Sequence, residues 1–210
     1  MTKNIKSTLC SLLILIFSFS LSFSASALSS DAQQLKDKFA LFEQINATFV
    51  QRITSAEGKL LNESRGEMSI SRPGKFHWHI LTPEEDLIVS NGETIWYYSP
   101  FIEQVTLINF TDAVNGTPFA LLAGASDAQW ADYVVSKKDN QFSVTNSAQT
   151  PTSTFVFEFD NNNKVSKFSV LEELGQRSDF LLDYKNSETH IDDAIFEFKV
   201  LEGVEVDDQR

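Results

Sequence analysis

The chain has 210 residues, a formal net charge of −12 and a single cysteine. That length suits one domain able to bury its own core, and the acid excess excludes the basic patches with which proteins hold nucleic acid or anionic lipid surfaces. A lone cysteine excludes an intrachain disulfide, so the fold has to be held by packing.

Lys3 and Lys6 precede an apolar run from Leu9 to Phe23 that closes on Ala25-Ser26-Ala27. A charged start, an apolar stretch too short to span a bilayer comfortably and an A-x-A end read as a secretory signal peptide. Residues 1–27 are expected to be removed, leaving 28–210 as one domain. Cys10 lies inside this leader, too early and in the wrong context (Thr8-Leu9-Cys10) for a lipid-modified cysteine. The mature chain is therefore expected to carry no thiol, disulfide or lipid anchor, and its charge moves from −12 to −14 as the two lysines are lost.

Ser30 to Phe42 reads as an amphipathic helix, with Ser30 as N-cap, Gln33 completing a capping box, and Leu35, Phe39 and Phe42 on one stripe. From Ala47 the period changes to two. Phe49 and Ile53 alternate with Val50 and Arg52, then Met68 and Ile70 with Glu67 and Ser69, and Phe76, Trp78 and Ile80 with His77 and His79. Leu87–Ser90 and Thr94–Tyr98 flank an Asn91-Gly92 hairpin signal, and Val105–Ile108 follows. Thr111 to Trp130 loses the alternation. It breaks into short helical pieces at Asp112–Val114, Phe119–Ala123 and Asp127–Trp130, separated by Asn115-Gly116 and Gly124. Strands then resume at Tyr133–Lys137, Phe142–Thr145, Thr154–Asp160, Val165–Leu171, Arg177–Tyr184 and Ile195–Val200, with Asn161-Asn162-Asn163 as a turn. About ten or eleven antiparallel strands with one apolar face have to bury it, and the helices are few. Two outcomes stay open: a curved sheet lidded over an apolar cavity, or a core packed solid with aromatics.

Arg72 breaks the pattern. It precedes the turn Pro73-Gly74-Lys75 on the face that carries Met68, Ile70, Phe76 and Trp78, yet a guanidinium never deprotonates and always needs acceptors. Either its stem covers apolar surface while its head reaches water, or its donors latch onto carbonyls of a lid, each such bond being worth roughly 1.5–3 kcal/mol.

Other constellations point away from catalysis. His77 and His79 share a strand face, but it is the outer one, and His190 is remote, so a metal site is not expected. Glu84-Glu85-Asp86 follows Pro83 and reads as a solvated connection. No nucleophile elbow, Walker loop, dinucleotide fingerprint or H-E-x-x-H is present. No enzyme activity and no cofactor are expected.

Several segments are similar to the periplasmic outer-membrane lipoprotein carrier proteins of Gram-negative bacteria, the LolA family. They are Arg72-Pro73 with Phe76 and Trp78, Leu87-Ile88-Val89-Ser90-Asn91-Gly92, Trp96-Tyr97-Tyr98-Ser99-Pro100-Phe101 with Glu103-Gln104, Thr117-Pro118-Phe119, and Gly203-Val204-Glu205-Val206-Asp207-Asp208-Gln209. The resemblance spans the mature chain in order. It implies an α+β fold: an unclosed antiparallel β-barrel with a short-helix lid over an apolar cavity that shelters the acyl chains of lipoproteins. It further implies a periplasmic monomer without stable membrane insertion, which takes cargo from an inner-membrane ABC transporter and gives it to an outer-membrane receptor. Arg72 becomes the lid latch. Phe76 lies at the cavity and contributes to cargo handover, with Trp78, Ile80, Met68 and Ile70 on the same wall. His77 and the loops around Ala56 and Ala125 depart from the family pattern and are expected outside the cavity. The anchored receptor of the same fold would need the lipid-modified cysteine. From other classes, a periplasmic sensor binding lipoprotein or peptide ligands would need a second domain, and a secreted hydrolase a nucleophile or acid pair.

Overall fold

The computed structural model describes residues 29–114, 119–146, 153–185 and 191–210. The segment expected to be a signal peptide (residues 1–27), the Asn115-Gly116 break, Thr117-Pro118 and His190 lie outside the described residues. Helix α1 (Ser30–Ala40) is capped one position earlier than expected: the Ser29 side chain accepts from the Ala32 N–H, while Gln33 bonds to Asp37 instead of closing a capping box. The helix ends at Ala40, so Phe42 lies past it and still packs edge-on against Phe39, with ring centroids 6.0 Å apart.

Six strands follow as a meander: β1 (Gln44–Thr54), β2 (Leu60–Ser71), β3 (Lys75–Thr82), β4 (Asp86–Asn91), β5 (Thr94–Ser99) and β6 (Gln104–Asn109). Three short helices, α2 (Phe110–Val114), α3 (Phe119–Ala123) and α4 (Asp127–Trp130), lead to β7 (Tyr133–Lys138), β8 (Gln141–Asn146), β9 (Thr154–Phe159), β10 (Val165–Leu171) and β11 (Arg177–Tyr184). With β12 (Glu205–Asp208) they form one twelve-stranded sheet in the order β12-β6-β5-β4-β3-β2-β1-β11-β10-β9-β8-β7. The first meander runs outward from β1, the second runs inward from the far edge, and the two are sewn together by antiparallel pairing of β1 with β11 from Ala47↔Tyr184 to Thr54↔Arg177. The barrel is not closed, since β7 and β12 are the two ends of the order.

The C-terminal region differs from the sequence reading. Ile195–Val200 is not a strand; Asp193–Phe196 form a 3-10 turn whose preceding Asp192 side chain accepts from the Ala194 N–H. Local aspartate capping overrides the alternation there, although Phe196 still enters the core. The strand supplied instead is β12, which runs parallel to β6 and takes up its bare edge through Glu205 N–H to Glu103 O and Gln209 N–H to Leu107 O, both 2.9 Å. An unpaired edge is a liability, which explains why so short and acidic a segment is used as a strand. The Asn91-Gly92 hairpin also closes differently. Gly92 alone takes positive φ (+94°), while Asn91 stays in β4 and its side-chain oxygen accepts from the Glu93 and Thr94 N–H groups at 3.0 Å.

Burial follows the pleat. On the concave side α1 lies along β7, where Asp31 accepts the Lys137 N–H at 2.9 Å, and its Phe39 meets Phe157, Phe159 and Trp130 at 5.2–6.3 Å. The opposite side of the strands carries charges that pair across β1 and β2 and along β11, such as Arg52 with Glu63 and Arg177 with Asp179. One glycine has a packing reason to be a glycine. At Gly66 an added Cβ would lie 2.1 Å from the His79 carbonyl oxygen and 2.6 Å from the Phe49 ring, which crosses the sheet over it. Gly66→Ala is therefore expected to lower stability by about 1–3 kcal/mol, against the usual gain from replacing glycine in a strand, as measured by urea unfolding.

Candidate functional site

Where β3, β4 and the end of β1 face β9–β11, the described helices leave space. The void is a cavity of about 480 Å³. Phe76, Trp78 and Ile80 on successive inward positions of β3 form one wall, with Ile88 and Ile95 from β4 and β5 beside them. Phe155, Phe168, Val170 and Phe180 form the facing wall, and Ala113 and Val114 of α2 cover one end. The walls are rigid aromatics: Phe168 and Phe180 stack at 4.4 Å, Trp78 lies 4.4 Å from Phe49, and Phe180 meets Trp78 nearly perpendicular at 5.4 Å. A cavity of ~150 Å³ admits one benzene, so a void of about 480 Å³ has room for on the order of twenty carbon atoms, one long acyl chain.

Phe76 is 5% exposed and Trp78 8%, and both line this void with the half-buried Ile80. Met68 and Ile70 do not line it. Both are 2% exposed, paired across the sheet with Ala47 and Ile45, and sit within the buried cluster that backs the wall. The alternation placed them on the right face, but that face is filled by core at their end of β2. Ala125 lies outside this cavity, as expected; half-buried, it packs against the core and lines a separate small pocket with Pro73, Phe110 and Ala120. The residues that the sequence reading did not assign to the site, Ile88, Phe155, Phe168, Val170 and Phe180 among them, come from strands whose apolar faces were legible; what linear sequence lacks is which strands face one another.

Arg72 sits just past β2. Its Nη1 donates to the backbone carbonyl of Phe39, in the last turn of α1, and its own N–H donates to Glu43 O at 2.9 Å. The guanidinium thus takes up a helix-end carbonyl that has no intrahelical partner and ties the β2–β3 turn to α1. Burial lowers its pKa from the ordinary arginine value. Gly124, which follows α3 at φ +106°, comes close to it: a Cβ added there would lie 3.3 Å from Arg72 Nε. Both helix ends therefore meet the sheet at one cation.

The family model described as outer membrane lipoprotein carrier protein LolA matches residues 40–199. The chain belongs to the LolA family. An outer-membrane lipoprotein carrier protein of Psychromonas ingrahamii is 54% identical over 192 residues, 90% of this chain and 94% of that protein. One from Aeromonas salmonicida is 38% identical over 198 residues, 94% and 98% of the two chains. A crystal structure of an uncharacterized conserved protein from Thermus thermophilus shares the fold, with 13% identity, a TM-score of 0.53 and coverage of 85% of this chain and 99% of that one. As a LolA-family fold the chain has, among the described residues, no helix long and apolar enough to cross a membrane and no group of three or more His, Cys, Asp or Glu residues able to hold a metal.

His77 and His79 lie next to each other on the outer face, with ring centroids 6.0 Å apart. His79 pairs with Glu85 at 2.8 Å, and His77, half-buried beside it, has its pKa lowered by burial and by His79, with Glu67 acting in the other direction. A base held below its unfolded pKa binds fewer protons folded than unfolded, so its penalty is absent above the ordinary imidazole range and grows as pH falls through it. Stability is expected to decline as pH falls below about 6.5, with His77→Asn flattening that segment of a pH series of urea midpoints. Arg72→Leu is expected to change global stability by no more than about 1.5–3 kcal/mol, while hydrogen exchange at the amides of the last turn of α1 accelerates selectively.

Proposed function

We infer that this chain is a periplasmic lipoprotein carrier whose apolar cavity shelters acyl chains. The observation that carries this reading is an aromatic-walled void of about 480 Å³ in a chain of the LolA family, on the concave side of a sheet whose helices cannot fill it. A membrane anchor holds by about 0.8 kcal/mol per buried methylene, so a lipoprotein does not cross water unaided. A void of this kind replaces part of that burial. As the resemblance to the lipoprotein carriers implies, extraction is the work of an inner-membrane ABC transporter and delivery that of an outer-membrane receptor, which must win by affinity difference. The acidity of the chain favours release from anionic membranes, and the leader expected at residues 1–27 supports work in the periplasm. Monomeric action and the absence of catalysis follow from the same reading.

Within it, Arg72 is the lid latch and Phe76 the residue at which cargo is handed over, with Trp78 and Ile80 lining the path and Met68 and Ile70 supporting it from the core. A single charge-assisted bond of about 1.5–3 kcal/mol is enough to bias a closed state by roughly ten- to hundredfold and weak enough for cargo to overcome. The deciding experiment is release of labelled lipoproteins from spheroplasts. Added protein is expected to bring them into solution as one-to-one complexes seen by native mass spectrometry. Ile88→Glu, which puts an acid on the cavity wall, is expected to abolish complex formation with the circular dichroism spectrum unchanged. Undiminished loading of that variant, or no release by the parent, would overturn the reading.

A further inference from the structure

Gln51 is a carboxamide on an apolar wall. In β1 the inward positions run Ile45, Ala47, Phe49, Gln51, and the first three are at most 2% exposed. Gln51 pairs directly with Phe180 on one side and Ser64 on the other, and it lines the main cavity with Ile80 and Val170, toward the end opposite Val114. Among the described residues its side chain has no hydrogen-bond partner, while its neighbour Ser64 already accepts from Asn62 at 3.2 Å. An amide offers two donors and two acceptor lone pairs, and at this half-buried position on the wall they stay accessible from the cavity, open to whatever occupies it. Ligand sites combine mostly apolar walls with a few placed polar groups.

Building on the carrier reading above, we propose that Gln51 is a specificity residue that donates a hydrogen bond to the carbonyl oxygen of an ester or amide linkage in the acylated ligand. The position fits an amphiphile. The hydrocarbon extends past Trp78 and Phe76 toward Val114, and the linkage between tail and polar part stops at the level of Gln51. A carbonyl there satisfies the carboxamide, whereas an all-methylene segment leaves it unbonded. The side chain therefore sets depth as well as preference, acting as the stop that keeps the polar part of the ligand out of the aromatic interior.

The test compares two probes, a dipalmitoyl-glyceryl cysteinyl peptide and its dihexadecyl ether counterpart, which lacks the carbonyls. The parent protein is expected to bind the ester about three- to tenfold tighter, and Gln51→Leu to bind both equally. Gln51→Met, of similar length and without amide groups, serves as the second variant if leucine disturbs folding. Equal binding of ester and ether by the parent, or a preference retained in both variants, overturns this inference and leaves the carrier reading standing. A parent that takes up neither probe overturns both.

Discussion

Everything in this molecule depends on a shortage of cover. A single sheet of twelve strands presents one continuous apolar face, and against it the described helices amount to α1, with 11 residues, and three pieces of five, five and four. Under β7–β9 the shortage is met by α1: Phe39, Trp130, Phe142, Phe157 and Phe159 are all buried there. Under β3 and β10–β11 it is not met, and the aromatics line a space instead of filling it. The two outcomes that the sequence left open are thus both realised, side by side, in the two halves of one sheet.

The polar groups on the concave side mark the boundaries of that space. Arg72 lies where the β2–β3 turn meets α1 and finds a carbonyl that the helix could not use. Gln51 lies along the wall and finds nothing among the described residues. An unpaired cation would be intolerable at such a place, whereas an unpaired amide costs only a few kcal/mol at most. That difference explains why the arginine is satisfied within the fold and the glutamine is left for an incoming group.

Much of this was legible in the residues. The period-two alternation of Phe76, Trp78 and Ile80, of Phe155, Phe157 and Phe159, and of Phe168 and Val170 gave the concave face, because pleat geometry is local. The three helical pieces after Asn109 were legible from their breakers, and Asp127–Trp130 forms as read, with Ser126 and Gln129 making a full capping box. Pairing at long range was not legible. Whether Met68 meets void or core depends on what lies opposite, and the β1–β11 seam joins segments that no local pattern relates. The strand expected at Ile195–Val200 failed because Asp192 offered its backbone a competing bond. Residues Glu205–Asp208 became a strand for the sake of the β6 edge, a requirement that no composition signals.

Because β7 and β12 are the two unjoined ends of the sheet, the enclosure behaves mechanically as a split ring. A closed barrel of fixed strand number has its bore set by strand count and stagger, and widening it means tearing a row of backbone hydrogen bonds. A split ring widens by a small change of twist distributed over every strand pair, with each ladder intact. The volume available to a guest is thus an elastic quantity, and guests of different bulk can be accommodated at a cost that rises gradually with size.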